Sequence, residues 1–184
     1  MRRTLATLAL FALVAAGCGS DDKDASTSAA EHNDADVAFA KDMVPHHEQA
    51  VEMSDMALQK AENVKVKELA TRIKAAQGPE IKQMKGWLKD WGESADDMGD
   101  HSGMPGMDMN GMMTDAEMKE LGAASGAAFD KLFLEGMIRH HEGAVTMSQD
   151  ELAKGKFPEA KTLAQQIIDS QNAEIAEMKA LLGT

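Results

Sequence analysis

Apolar positions recur at helical spacing over four long stretches of the chain. Phe39, Met43, His47, Ala50, Ser54 and Ala57 share one stripe, which predicts a helix from about Asp34 to Ala61. His46 and Met53 lie on the flank of that stripe, while Glu48 and Glu52 point away to solvent. Leu69, Ile73, Gln77, Ile81, Met84 and Leu88 form a second stripe, predicting a helix from about Val64 to Trp91 with Glu80 on its flank. A third helix is expected from about Ala127 to Lys154, ended by Gly155, and a fourth from Pro158 to about Leu182. Thr114-Asp115-Ala116-Glu117 has the form of a capping box and opens a short helix to about Leu121.

The third and fourth helices repeat the first two. Met43-Val44-Pro45-His46-His47-Glu48-Gln49-Ala50-Val51-Glu52-Met53 recurs 94 residues later as Met137-Ile138-Arg139-His140-His141-Glu142-Gly143-Ala144-Val145-Thr146-Met147. The same shift carries Gln77, Glu80, Ile81 and Met84 onto Gln171, Glu174, Ile175 and Met178. Between Asp36 and Leu88 roughly 20 of about 50 positions match their partners, which marks an internal duplication. Pro45 and Gly78-Pro79 fall inside the first two helices, where proline removes a backbone donor and crowds the carbonyl four residues back. The second copy carries Arg139 and Asn172-Ala173 there, so bends are expected, not ends. Two hairpins, each with one apolar stripe, bury those stripes against each other. The expected fold is all-α, an antiparallel four-helix bundle over residues 34–184, with hairpins at 34–92 and 114–184.

Composition sharpens this picture. Aromatic residues are 4% of the chain, with no Tyr, against 15 Met, a mixture that favours helices over sheets. The net charge of −12 argues against nucleic-acid binding, which needs a positive footprint. Residues 1–17 read as a signal peptide: Arg2 and Arg3 precede an apolar run from Leu5 to Ala16 that is short for a bilayer span. Ala15-Ala16-Gly17-Cys18 resembles a bacterial lipobox, and Cys18 is the only cysteine. The expected product is a lipoprotein outside the cytoplasm, anchored to the cell membrane through Cys18, with no disulfide and no thiolate metal site. Residues 18–33 read as a flexible tether in which His32 is a bystander.

The repeated His-His/Met cassette points to a metal. Neighbouring helical residues diverge by about 100°, so His46 and His47 do not face one point squarely. Met43 with His46 or His47, and His46 with Met53, lie at spacings that converge on one face. Imidazole and thioether together suit copper, the thioether favouring Cu(I) or its mimic Ag(I), with Cu(II) also accessible to the imidazoles. The candidate ligands are Met43, His46, His47, Met53, Met137, His140, His141 and Met147; core packing is the alternative for the methionines. Glu80 and Glu174 are candidates to accept from imidazole N–H groups and fix the rings, or simply to form salt bridges. Gln77 and Gln171, on apolar stripes, need buried partners and suit a network with the histidines.

Residues 93–113 lack helical and strand periodicity and read as a loop. His101, Met104, Met107, Met109, Met112 and Met113 lie there, in a stretch of Gly, Pro and Asp that packs no core. A flexible thioether set of this kind suits a two- to four-coordinate soft cation.

The doubled M-[VI]-x-H-H-E-x-A-V-x-M-S, followed by L-A-x-x-I-x-x-x-Q-x-x-E-I-x-x-M-K, resembles the bacterial family called domain of unknown function 305, including its CopM-type copper-binding proteins. The resemblance covers about Asp36 to the C-terminus. It implies a ferritin-like four-helix bundle outside the cytoplasm and, in some members, copper held by Met and His, here Met43, His46, His47, Met53 and their partners in the second copy. The leading expectation is copper sequestration or transfer, with a copper-transfer protein as possible partner. Two rivals stand beside it. A ferritin-like metal-dependent oxidase would need Glu-x-x-His, where this chain has Met43-x-x-His46 and Met137-x-x-His140. A helical interaction lipoprotein would use its histidines only to complete a polar core.

Overall fold

A computed structural model describes residues 31–94 and 110–183. Among them are five helices and no strand: α1 (Asp34–Lys60), α2 (Val64–Asp90), α3 (Asp115–Ala123), α4 (Gly126–Lys154) and α5 (Pro158–Leu182). The signal peptide, Cys18, the tether up to residue 30, and His101, Met104, Met107 and Met109 lie outside the described residues.

The helix ends follow local chemistry. Asn33 caps α1, its side chain accepting from the N–H groups of Ala35 and Asp36 while Asp36 accepts from the Asn33 N–H. Thr114 and Glu117 make the same reciprocal pair at α3. α5 opens on Pro158, and its cap Gly183 takes the left-handed conformation that suits glycine. α1 and α2 both continue through their internal prolines, Pro45 and Pro79.

Each hairpin closes through a three-residue turn, and the other hairpin holds that turn. Asp36, at the start of α1, accepts from the N–H groups of Lys156 (3.0 Å) and Phe157 (2.8 Å) in the α4–α5 turn. Asp130, 94 residues later on α4, accepts from Glu62 (3.1 Å) and Asn63 (2.8 Å) in the α1–α2 turn. These clamps set the start of α1 beside the end of α4 and the reverse, so the two central helices run antiparallel. The reciprocal pairs Glu48–Lys85 (2.6 Å) and Glu142–Lys179 (3.3 Å) tie each hairpin on its exposed side.

The first clamp has an extra member. Glu151 is 1% exposed, and among the described residues no N–H donor reaches its oxygens. Burial, then the neighbouring Asp36, pushes its carboxyl up to about 8. Burial pushes Asp36 the same way, but the N–H groups of Phe157, Asn33 and Lys156 and the Glu151 side chain hold it below its usual value. A proton kept on Glu151 therefore serves the Asp36 carboxylate.

The end of the fold near residue 32 corrects one expectation. His32 is no bystander: it stacks on Trp91 with centroids 4.5 Å apart, and both Trp91 and Trp87 meet Phe157 edge-on. A flat imidazole finds in the indole a stacking partner that water does not offer.

The described residues form two apolar clusters in the interior. One gathers Ala50, Met53, Val66, Leu69, Ile73, Phe129, Phe133, Met137, Ile175 and Met178. The other gathers Phe39, Met43, Met84, Leu88, Ala144, Leu163 and Ile167. Along every long helix the sequence passes from one cluster to the other through a polar step: His46-His47 on α1, Gln77 on α2, His140-His141 on α4 and Gln171 on α5. All six side chains are buried. The fold is thus two apolar blocks with a polar layer between them.

Candidate metal centre

The polar layer brings the four histidines together. His46 and His140 stack at the crossing of α1 and α4, their ring centroids 3.7 Å apart and tilted by 36°. His47 lies 6.4 Å from His46, and His141 lies 6.3 Å from His140. None of the four is more than 1% exposed.

Their hydrogen bonds decide which ring nitrogen is free. His47 Nε2–H donates to Glu80 (2.8 Å) and His141 Nε2–H to Glu174 (2.7 Å). His46 Nε2–H donates to the backbone carbonyl of Asn110 (3.0 Å). Each partner can only accept, so each assigns the proton to Nε2 and, in a neutral ring, leaves the lone pair on Nδ1. Among the described residues, no atom partners any of the four Nδ1 atoms, nor His140 Nε2. Burial, against a pull from Asn110 and with a push from the charges of His47 and His141, takes His46 down to about 3. Burial, with the other three histidines, takes His140 well below its ordinary value. Both stacked rings are neutral at neutral pH and keep a lone pair, the form that ligates metals.

More polar atoms line the same interior. Gln77 has neither amide atom partnered, and Gln171 Oε1, Ser54 Oγ and Ser148 Oγ are likewise buried without a partner. The network between glutamines and histidines expected from the stripes is not formed. An unpartnered buried polar atom costs about 1–3 kcal/mol, so this layer is a concentrated expense in an otherwise apolar core.

The thioethers are arranged across the repeat. Met53 stands about 10 Å along α1 from His46, two helical turns away, and shares its apolar cluster with Met137. Met43 lies in the other cluster, against which Met147 packs. Each block beside the histidine layer therefore receives one cassette methionine from each copy. Among the described residues, no three His, Cys, Asp or Glu side chains converge to hold an ion. The donors on offer are imidazole and thioether.

Residues Asn110–Met113 cross this layer as a strap. Asn110 and Gly111 both take left-handed conformations (φ 48° and 78°), which Asn-Gly accommodates. Gln49 grips Met113 through both backbone groups, accepting from its N–H and donating to its C=O, each at 2.8 Å. Met113 corrects another expectation: it is not in a loop that packs nothing but is buried at 7% exposure. Gly136 leaves the notch that admits it, since a Cβ there would stand 2.9 Å from the Met113 sulfur. Met112 is half-buried beside it.

The sequence reading missed Asn110, Gln49, Gly136 and Gly143. The signal available was the asymmetry of the duplication: Gln49 aligns with Gly143, and Asp42 with Gly136. The reading also missed the aspartate clamps, although Asp36 and Asp130 match at the same shift.

The family model for a domain of unknown function (DUF305) matches residues 36–182. The chain belongs to the DUF305 family. A DUF305 protein from Streptomyces coelicolor, given as secreted, is 37% identical; the alignment covers 81% of this chain and 92% of that one, with a TM-score of 0.74. CopM in its Cu(II)-bound form is 39% identical over 79% of this chain and 94% of its own, with a TM-score of 0.68. CopM in its Cu(I)-bound form is 36% identical over the same shares, with a TM-score of 0.64. The uncharacterized protein L153 of Acanthamoeba polyphaga mimivirus is 49% identical over 53 residues, and this DUF305 chain spans 35% of its length. No helix among the described residues is long and apolar enough to cross a membrane.

Proposed function

We propose that this protein binds copper outside the cytoplasm, anchored to the cell membrane through a lipidated Cys18, and that it sequesters the ion or hands it on. One observation carries the reading. Four buried imidazoles present Nδ1 atoms with no protein partner, while three of them have Nε2 committed to an acceptor. A fold that needed only a packed core gains nothing from such atoms, because each could be replaced by an apolar group at lower cost. A soft cation bound by imidazole and thioether gives them a partner.

The donor set fits the cargo. Cu(I) and Ag(I) accept few ligands and favour neutral nitrogen and sulfur, whereas a di-iron oxidase needs converging carboxylates. Glu80 and Glu174 are spoken for by histidine N–H groups and hold the rings in orientation. The CopM structures with Cu(I), Cu(II) and silver support the same ion class. We read the architecture as an antiparallel four-helix bundle of ferritin-like type, and the role as binding without turnover. His101, Met104, Met107, Met109, Met112 and Met113 complete the proposed soft-donor inventory.

Silver is a suitable first probe, since it has no redox chemistry to confuse the result. A ligand that binds only the folded state raises the melting temperature, by an amount that grows with the logarithm of ligand excess. Ag(I) should raise it clearly more in the wild type than in a variant with His46, His47, His140 and His141 replaced by Gln, which keeps only the thioethers and His101 of the proposed donors. Equal shifts in the two proteins would refute the reading. Oxygen consumption on repeated Cu(I) addition would overturn the non-enzymatic role.

A further inference from the structure

Among the positions at which the two copies of the cassette differ, one has a consequence for the histidine layer. Position 49 is Gln and its partner at 143 is Gly. Gln49 holds the Met113 backbone by two hydrogen bonds from the α1 side. Gly143 lies on the α4 side, where a Cβ would overlap the Asn110 carbonyl. That same carbonyl accepts from His46 Nε2–H. One copy grips the strap and the other makes room for it.

Resting on the copper reading above, we propose that Gln49 and Gly143 are positioning residues for His46. They seat Asn110–Met113 so that the Asn110 carbonyl fixes the His46 proton on Nε2 and leaves Nδ1 as its only ligating atom. The duplication would otherwise give two equivalent half-sites. His46 and His140 are inequivalent here: His46 is tied by the strap, whereas no strap residue among those described hydrogen-bonds a ring nitrogen of His140. The arrangement extends along α4. A Cβ at Gly111 would overlap the Arg139 carbonyl, and Gly136 and Gly143, two turns apart on one face, receive the Met113 sulfur and the Asn110 carbonyl. The seat also places Met113 in the apolar cluster that contains Met53 and Met137. The strap thereby makes one imidazole a prepared ligand and leaves the other free to adjust as the ion enters.

The test uses Gln49→Ala and Gly143→Ala in the purified protein, with Gly78→Ala as control because a Cβ there meets nothing. Helix-interior Gly→Ala favours the helix, so Gly143→Ala should fold. The readouts are the ring nitrogen shifts of His46, hydrogen exchange at the Met113 amide, and the rate of Cu(I) loss to a chelator. Both variants should move His46 from a single Nε2–H tautomer towards a mixture. Removing the Gln49 bonds should speed Met113 exchange and Cu(I) loss by about tenfold. Wild-type tautomer and exchange in both variants would overturn the proposal, as would the same change in Gly78→Ala. A wild type that binds neither copper nor silver would overturn the copper reading alone, because tautomer and exchange are read without metal.

Discussion

Glu80 and Glu174 offer a perturbation with a built-in duplicate. Each accepts from a fully buried histidine, at 2.8 and 2.7 Å, and their side chains are 19% and 17% exposed. Truncation to Ala removes the acceptor and leaves a buried imidazole N–H unpaired. The penalty for such a group is about 1–3 kcal/mol, which in a chain of this size lowers Tm by roughly 3–10 °C. Metal binding should suffer as well, because an unheld ring loses orientation and basicity; partners of this kind affect metal affinity by about 10–100-fold. Glu→Gln keeps an oxygen able to accept and should recover most of the lost stability. The assay is thermal unfolding of Glu80→Ala, Glu174→Ala and the two Gln variants, paired with a Cu(I) titration of each. Near-equal losses at the two sites are expected from their matching environments. If both Ala variants melt and bind as the wild type does, these contacts do not hold the rings and the account of the layer is wrong.

Other consequences are simpler to check. Asp36→Ala should destabilise more than Asp130→Ala, each by about 1–3 kcal/mol or more in chemical denaturation, since Asp36 receives three backbone N–H groups and Asp130 two. Glu151 has a folded value near 8, above its unfolded value of 4.5. Its contribution is full below 4.5 and is lost as pH rises towards 8, so Glu151→Gln should raise Tm by several degrees at pH 8 and flatten the profile between those limits. Gly155→Ala should destabilise, because its Cβ would overlap the Glu151 carboxyl, whereas Gly78→Ala should not.

Much of the fold is legible in the sequence because helices announce themselves locally. The stripes, the Thr114 box, Pro158 and Gly155 place every long helix within a residue or so of its observed ends. The duplication then supplies the pairing of hairpins, since each apolar stripe needs another. The histidines are legible as a cluster for the same reason: a doubled motif on two helices meets wherever those helices cross. What stays hidden is what depends on the crossing itself. Periodicity along α1 pairs His46 with Met53, but the antiparallel partner brings Met137 to Met53 and Met147 to the Met43 block. Asn110 acts through its carbonyl, which every residue has, so no side-chain pattern marks it. Gly143 acts by lacking a side chain, and only comparison with Gln49 gives it away. Met113 read as loop because its neighbours are Gly and Asn, yet its burial is decided by Gly136 on a helix 23 residues later.

The most direct measurement is a Cu(I) competition titration against a chromophoric chelator, comparing the wild type with the variant carrying Gln at positions 46, 47, 140 and 141. The wild type should take copper from the chelator, and the variant should lose this by about 100-fold, a drop of some 3 kcal/mol. Two superimposable titration curves would contradict this.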